Sequence, residues 1–177
     1  MELREIFSKD LLLSLEKCIS KGIPWGLNAS GTQKVTEFES FMNMFETLEK
    51  YFHRYEELES ACKKMYEERN RKWCKKDSKI LIYPSGYDGL IHTDYEEEEG
   101  DYKLTTITFL NIDWDKSWGG EVLCYSKDCR VVVGGVTPEF GKTFLFNGVL
   151  PHRALAPVRL SSLMRAVLVT KQDKIIG

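Results

Sequence analysis

The sequence predicts a mainly β chain with α-helices at its N-terminal end. Three observations lead there. Through residues 1–76 the apolar residues recur at helical spacing. From Lys79 onward the period shortens, and Val-, Ile-, Thr- and Phe-rich runs are separated by turn residues, as in a sandwich or barrel. Aromatic residues make up 12% of the 177 positions, which favours strands and an aromatic-lined pocket.

The elements follow in order. Ser8 is placed to cap a helix carrying Leu11, Leu12, Leu15 and Ile19, with Gly22 as its stop signal. Ile23-Pro24-Trp25-Gly26-Leu27 breaks that helix and suits a short extended piece. Thr36-Glu37-Phe38-Glu39 has the form of a capping box. Behind it, apolar residues from Phe38 to Trp73 keep helical spacing, as one long helix or as two bent near His53-Arg54. The basic cluster from Lys63 to Lys76 alternates with Glu67 and Glu68, as a solvated helix face does. Strands are expected at 79–84, 90–94, 104–112, 121–126, 130–137, 142–147, 151–157 and 163–171. With no internal repeat or linker, residues 1–177 are expected to form one domain, in which 1–76 give helical support and 77–173 the β core.

Composition excludes several classes. Hydrophobic residues at 42% and charged residues at 29% describe an ordinary globular chain. A net charge of -2 gives no bulk-charge argument for a nucleic-acid partner. No run approaches the ~18 apolar residues of a spanning helix, and the acidic N-terminus lacks a signal-peptide pattern, so no membrane association is expected. Five cysteines without a C-x-x-C point to reduced thiols and a cytoplasmic location. A Cys124–Cys129 hairpin disulfide is the less favoured alternative. The oligomeric state is left open.

The chemistry centres on His92-Thr93-Asp94. On a strand, residues two apart share a face, so both side chains can reach one metal ion. His152, far downstream, can supply a third ligand. Two imidazoles and a carboxylate leave open positions of the kind non-haem iron(II) uses. The same residues equally fit a structural His–Asp pair with a satisfied core histidine at 152.

The surrounding motifs weigh toward the metal. Tyr83-Pro84-Ser85-Gly86 precedes His92. Asn111-Ile112-Asp113-Trp114, Trp118-Gly119-Gly120-Glu121, Pro138-Glu139-Phe140-Gly141 and Phe144-Leu145-Phe146-Asn147 lie between Asp94 and His152, and Met164-Arg165-Ala166-Val167-Leu168-Val169 follows. This order, over about residues 79–171, resembles the Fe(II)/2-oxoglutarate-dependent dioxygenases, in particular their prolyl 4-hydroxylase-like branch. The resemblance implies a double-stranded β-helix (jelly-roll, cupin-like) core with the helices on its outer face. It implies Fe(II) held by His92, Asp94 and His152, with 2-oxoglutarate and O2 as co-substrates. Arg165 would clamp the distal carboxylate of 2-oxoglutarate, a role suited to a planar, always-charged guanidinium, and Tyr83 would donate to the same carboxylate. Arg165 lies thirteen residues after His152, more than is common in that branch, so Arg159 and Arg153 are rivals. Phe109 stands where oxygen-sensing relatives carry a second tyrosine. Gly119 and Gly120 would allow a close backbone approach, and Trp114 and Trp118 would pack.

A carboxylate at position 94 favours hydroxylation over halogenation, since related halogenases leave that position small. The implied reaction hydroxylates an unactivated C–H and releases succinate and CO2. A prolyl peptide is the first substrate expected, and a free amino acid or small metabolite the second. A cupin-like metal-binding module is the reading outside the enzyme class. The acidic run Glu96–Asp101 is expected to be a solvated loop, with steering of a basic substrate as the alternative.

Overall fold

Period-two alternation from Lys79 onward places inward and outward residues on two antiparallel sheets. The fold is a computed structural model describing residues 1–21, 26–27, 41–83, 85–86, 88–96, 102–158 and 164–173. Strand β1 (Glu2–Glu5) leads into helix α1 (Lys9–Ser20), then β2 (Gly26–Leu27), β3 (Phe41–Met44), α2 (Phe45–Tyr51) and α3 (Tyr55–Glu67). The β core follows as β4 (Trp73–Tyr83), β5 (Leu104–Phe109), a 3-10 turn (Lys116–Trp118), β6 (Val122–Tyr125), β7 (Val132–Val136), β8 (Lys142–Asn147), β9 (His152–Ala154) and β10 (Arg165–Gln172).

The helices form as their caps and apolar spacing require. The Ser8 side chain accepts the Leu11 N–H, Asp10 lies in the positive first turn, and Leu11, Leu12, Leu15 and Ile19 are buried. The expected stop at Gly22 and the capping box at 36–39 lie outside the described residues. The bend falls at residues 52–54, as the two-helix reading required, and α3 buries Tyr55, Leu58, Cys62, Met65 and Tyr66. The helical stripe is shorter than its periodicity suggests. Phe41–Met44 is a strand, paired antiparallel with Ile82–Lys79 of β4. Short apolar runs fit either period, and an available sheet edge decides between them. At the other end Asn70 adopts φ 53, a left-handed conformation that stops a helix, so Trp73 opens a strand instead.

The larger sheet has the order β1-β8-β5-β10-β4-β3-β2 and the smaller β7-β6-β9. This is a double-stranded β-helix. One face of the large sheet meets the helices: Ile80, Ile82, Leu104, Leu145, Ala166 and Leu168 pack with Leu12, Leu58 and Tyr66. The other face turns toward the small sheet, where Ile107, Phe109, Phe144, Phe146, Val167 and Val169 pack with Val122 and Cys124. Both faces of β5 and β10 are therefore covered, and even their threonines are buried. Thr106 and Thr170 share a hydrogen bond of 2.6 Å, and the Tyr66 hydroxyl joins Thr170 at 3.0 Å, tying α3 to the sheet.

Two strand expectations are corrected and one strand is added. Residues 90–94 form no strand but a single bridge, His92 to His152. Strand β4 begins at Trp73 rather than Lys79, because 73 and 74 pair with 172 and 171 beyond an irregularity in the ladder. Strand β1, not anticipated, pairs with β8 at the sheet edge. All five cysteines are free thiols, so Cys124 and Cys129 are not linked.

Candidate active site

The site is built on the bridge between the two histidines. The backbone N–H of His92 donates to the His152 carbonyl (3.0 Å) and that of His152 to the His92 carbonyl (2.9 Å). This reciprocal pair sets the imidazoles side by side, with ring centroids 4.5 Å apart. Each Nδ1 lies 2.9 Å from the carbonyl two residues earlier, Leu90 for His92 and Leu150 for His152. A carbonyl only accepts, so the proton sits on Nδ1 and the Nε2 lone pair is free. The Asp94 N–H donates to the Gly148 carbonyl at 2.8 Å, holding the segment against the turn after β8.

These bonds bring the predicted triad together. Asp94 Oδ1 is 3.8 Å from His92 Nε2, and Oδ2 is 3.5 Å from His152 Nε2. One ligating atom from each residue lies within 4.8 Å of the other two. The Asp94 and His152 side chains are 4% and 5% exposed and that of His92 54%, so the triad opens on the His92 side.

Two neighbours of Asp94 escaped the sequence reading. Lys171 Nζ donates to Oδ1 at 2.6 Å and Thr105 Oγ1 to Oδ2 at 2.8 Å. Lys171 could have been suspected, since it continues the inward series Arg165, Val167, Val169 on β10 and a lysine is foreign to such a face. Burial on its own would raise the Asp94 carboxyl, but Lys171, His152 and the two hydrogen bonds outweigh it and hold it below the usual carboxylate value. Burial pushes the His152 imidazole down, against the opposing pull of Asp94. His152 is thus driven neutral, leaving Lys171 as the cation that keeps Asp94 ionised. A neutral imidazole and an ionised carboxylate are the forms that bind metals.

The triad lies at one end of an inter-sheet cavity of about 100 Å³, whose lining also includes Lys79, Tyr83, Arg165 and Lys171. Tyr83 is its one Phe, Tyr or Trp among the described residues, and Leu81, Ile107, Val122, Ala154, Val167 and Val169 supply its apolar walls. The expected aromatic lining is thus corrected: Phe109, Phe144 and Phe146 pack in the inter-sheet core instead.

Arg165 is fully buried and faces this cavity. Its Nη1 donates to the Gly120 carbonyl at 2.9 Å, while Nε and Nη2 have no hydrogen-bond partner among the described residues. Its guanidinium carbon sits 4.2 Å from the centre of the Tyr83 ring, a cation–π contact. Burial lowers the guanidinium below its ordinary value, and Tyr83 and Glu121 oppose the shift. Gly120 has φ 81, and a Cβ there would stand 3.1 Å from Arg165 Cδ and from Trp114 Cζ2. The glycine therefore makes room for the guanidinium. Trp114 is held by its Nε1–H bond to the Gly119 carbonyl and by edge contact with Trp118, a packing role. Of the rivals, Arg153 lies over the Tyr125 ring and does not line the cavity. Arg159 is outside the described residues, as is most of the acidic run 96–101.

The donor set of two imidazole nitrogens and one carboxylate suits iron(II) with open positions. The two nitrogens of Arg165 without a partner among the described residues, fully buried and facing the cavity, suit a carboxylate. A jelly roll with these features at the two ends of one cavity defines the class of non-haem metal oxygenases. The 2OG-Fe(II) oxygenase superfamily model matches residues 78–170, more than half of the chain. The chain belongs to that superfamily and is a 2-oxoglutarate-dependent dioxygenase, working with Fe(II), 2-oxoglutarate and O2.

Solved structures share the fold. A prolyl-4-hydroxylase from Pseudomonas putida aligns with TM-score 0.63 and 18% identity, over 98% of this chain and 91% of its own. A prolyl hydroxylase from Trichoplax adhaerens, solved with a hypoxia-inducible-factor peptide fragment, aligns with TM-score 0.60 and 18% identity, over 97% and 82%. AviO1 from Streptomyces viridochromogenes aligns with TM-score 0.68 and 12% identity, over 97% and 88%. No curated protein sequence matches the chain. Among the described residues, no helix is long and apolar enough to cross a membrane.

Proposed function

We propose that this dioxygenase hydroxylates an unactivated C–H bond, with His92, Asp94 and His152 as the iron ligands and Arg165 as the clamp on the distal carboxylate of 2-oxoglutarate. One observation carries the reading: three ligating atoms within 4.8 Å of one another share a cavity with a buried guanidinium that has two donors unbonded. Iron(II) bound with 2-oxoglutarate and O2 supplies the oxidative decarboxylation that hydroxylates a C–H bond, with succinate and CO2 as co-products.

The side chains prepare that chemistry. The Leu90 and Leu150 carbonyls fix both imidazole tautomers before any metal arrives. Lys171 and Thr105 hold both oxygens of Asp94 and limit its rotation. Arg165 orients a bound dicarboxylate along the cavity, and the Tyr83 ring backs the guanidinium. Leu81, Ile107, Val167 and Val169 keep water from the path between the two ends. Likeness in fold to two prolyl hydroxylases supports a prolyl peptide as the first substrate to try, and a free amino acid or small metabolite as the second.

The test is iron-dependent conversion of 2-oxoglutarate to succinate by wild type and Asp94→Ala. Wild type should turn over and the variant should not. Equal turnover by both removes the proposed ligand set.

A further inference from the structure

With the metal on His92, Asp94 and His152, every charged side chain lining the cavity has an assigned partner except one. Arg165 takes the co-substrate carboxylate, and Lys171 is ion-paired with Asp94 at 2.6 Å. Lys79 is left over. It lies on the inward face of β4 with Leu81 and Tyr83, opposite Val169 of β10. That register is one inward step from Lys171 and two from Tyr83, so Lys79 stands nearer the metal end than the Arg165 end. Among the described residues its ammonium forms neither a hydrogen bond nor an ion pair. Burial, then Lys171, push its ammonium below the ordinary value, against weaker opposing effects of Asp94 and Asp77.

Three cations and a single carboxylate line this cavity. A divalent metal and the 2-oxoglutarate dianion neutralise each other on binding, so the positive excess persists in the loaded site. A half-buried ammonium without an ion-pair partner is unfavourable. The side chains beside it on the inward face, Leu81 and Val169, are aliphatic and offer it no acceptor. The missing partner therefore arrives with the third component of the reaction.

We infer that Lys79 binds an oxyanion of the substrate, a carboxylate or a phosphate, so that the C–H oxidised belongs to an acidic molecule or an acidic stretch of peptide. A lysine suits this role because its compact charge on a flexible stem adapts to the pose of the reacting group. The inference rests on the metal assignment proposed above, and its test keeps the two apart. Manganese(II) replaces iron(II), 2-oxoglutarate is saturating, and acetate and inorganic phosphate serve as probes at fixed ionic strength. Paramagnetic relaxation of the acetate methyl protons and of the phosphate phosphorus reports anions held near the metal.

Wild type should show saturable relaxation of at least one probe. Lys79→Gln should raise that anion's apparent Kd about tenfold or more, the loss of one charge-assisted hydrogen bond, and Lys79→Arg should restore it. Manganese and 2-oxoglutarate affinities should be unchanged in both variants. Equal anion affinity in wild type and Lys79→Gln, or no saturable relaxation in wild type, overturns the inference alone. Loss of 2-oxoglutarate affinity in Lys79→Gln also overturns it, by assigning the ammonium to the co-substrate. Failure of manganese to bind wild type overturns the metal assignment and this inference with it.

Discussion

A guanidinium with no surface exposure and two nitrogens unbonded destabilises the fold that carries it. Arg165 is such a group, and the largest fully buried side chain among the described residues. The proposed role as a clamp gives a paired prediction. Arg165→Met, similar in length and apolar, should leave the melting temperature of the ligand-free protein unchanged or higher. The same change should weaken 2-oxoglutarate binding by about 3 kcal/mol, roughly a hundredfold in Kd. Differential scanning and calorimetric titration measure the two halves. A variant that binds 2-oxoglutarate normally while Arg159→Ala does not would move the clamp to 159. At this scale the sequence told part of the story. The triad was legible because His-x-Asp is local and histidines are few. Lys171 and Thr105 were not, because their contact with Asp94 spans 77 and 11 residues and depends on strand register.

Among the elements, the His92–Asp94 segment shows how a sound inference can rest on the wrong local structure. Alternation on a strand predicts the convergence of His92 and Asp94. The segment is no strand; the cause is the backbone bridge to His152 together with the Asp94–Gly148 bond. The turn after β8 is therefore as much a part of the site as the proposed ligands. A Cβ on Gly148 would stand 2.5 Å from Thr105 Oγ1 and 2.7 Å from the Tyr95 ring. Thr105 in turn holds Asp94. Gly148→Ala should thus destabilise by about 1–3 kcal/mol through overpacking and also weaken metal binding. Urea denaturation and manganese titration test this; an unchanged metal affinity would separate the turn from the site. Other elements resisted reading for a related reason. Helical spacing through Phe41–Met44 lost to pairing with β4, and the threonines of β5 are all buried, Thr105 on the cavity side and Thr106 bonded to Thr170.

For the whole molecule, the site's position between the two sheets makes ligand binding a structural event. His152 belongs to β9 of the small sheet, Arg165, Lys171 and Thr105 to β10 and β5 of the large one, and His92 and Asp94 to the segment between. Metal with 2-oxoglutarate would therefore add links between pieces of chain already joined by apolar packing, the His92–His152 bridge and the bonds of Thr105 and Lys171 to Asp94. A ligand that binds only the folded state stabilises it by mass action, about 2.7 kcal/mol at a hundred times its Kd. For a chain of this size that corresponds to a rise of roughly 5–10 °C in melting temperature. Manganese and 2-oxoglutarate together should raise it by that order in wild type. Asp94→Ala should abolish the gain, and Arg165→Met should keep only the part due to manganese. If 2-oxoglutarate stabilises Arg165→Met as much as wild type, the two ends of the cavity do not act as one site, and the dicarboxylate binds elsewhere.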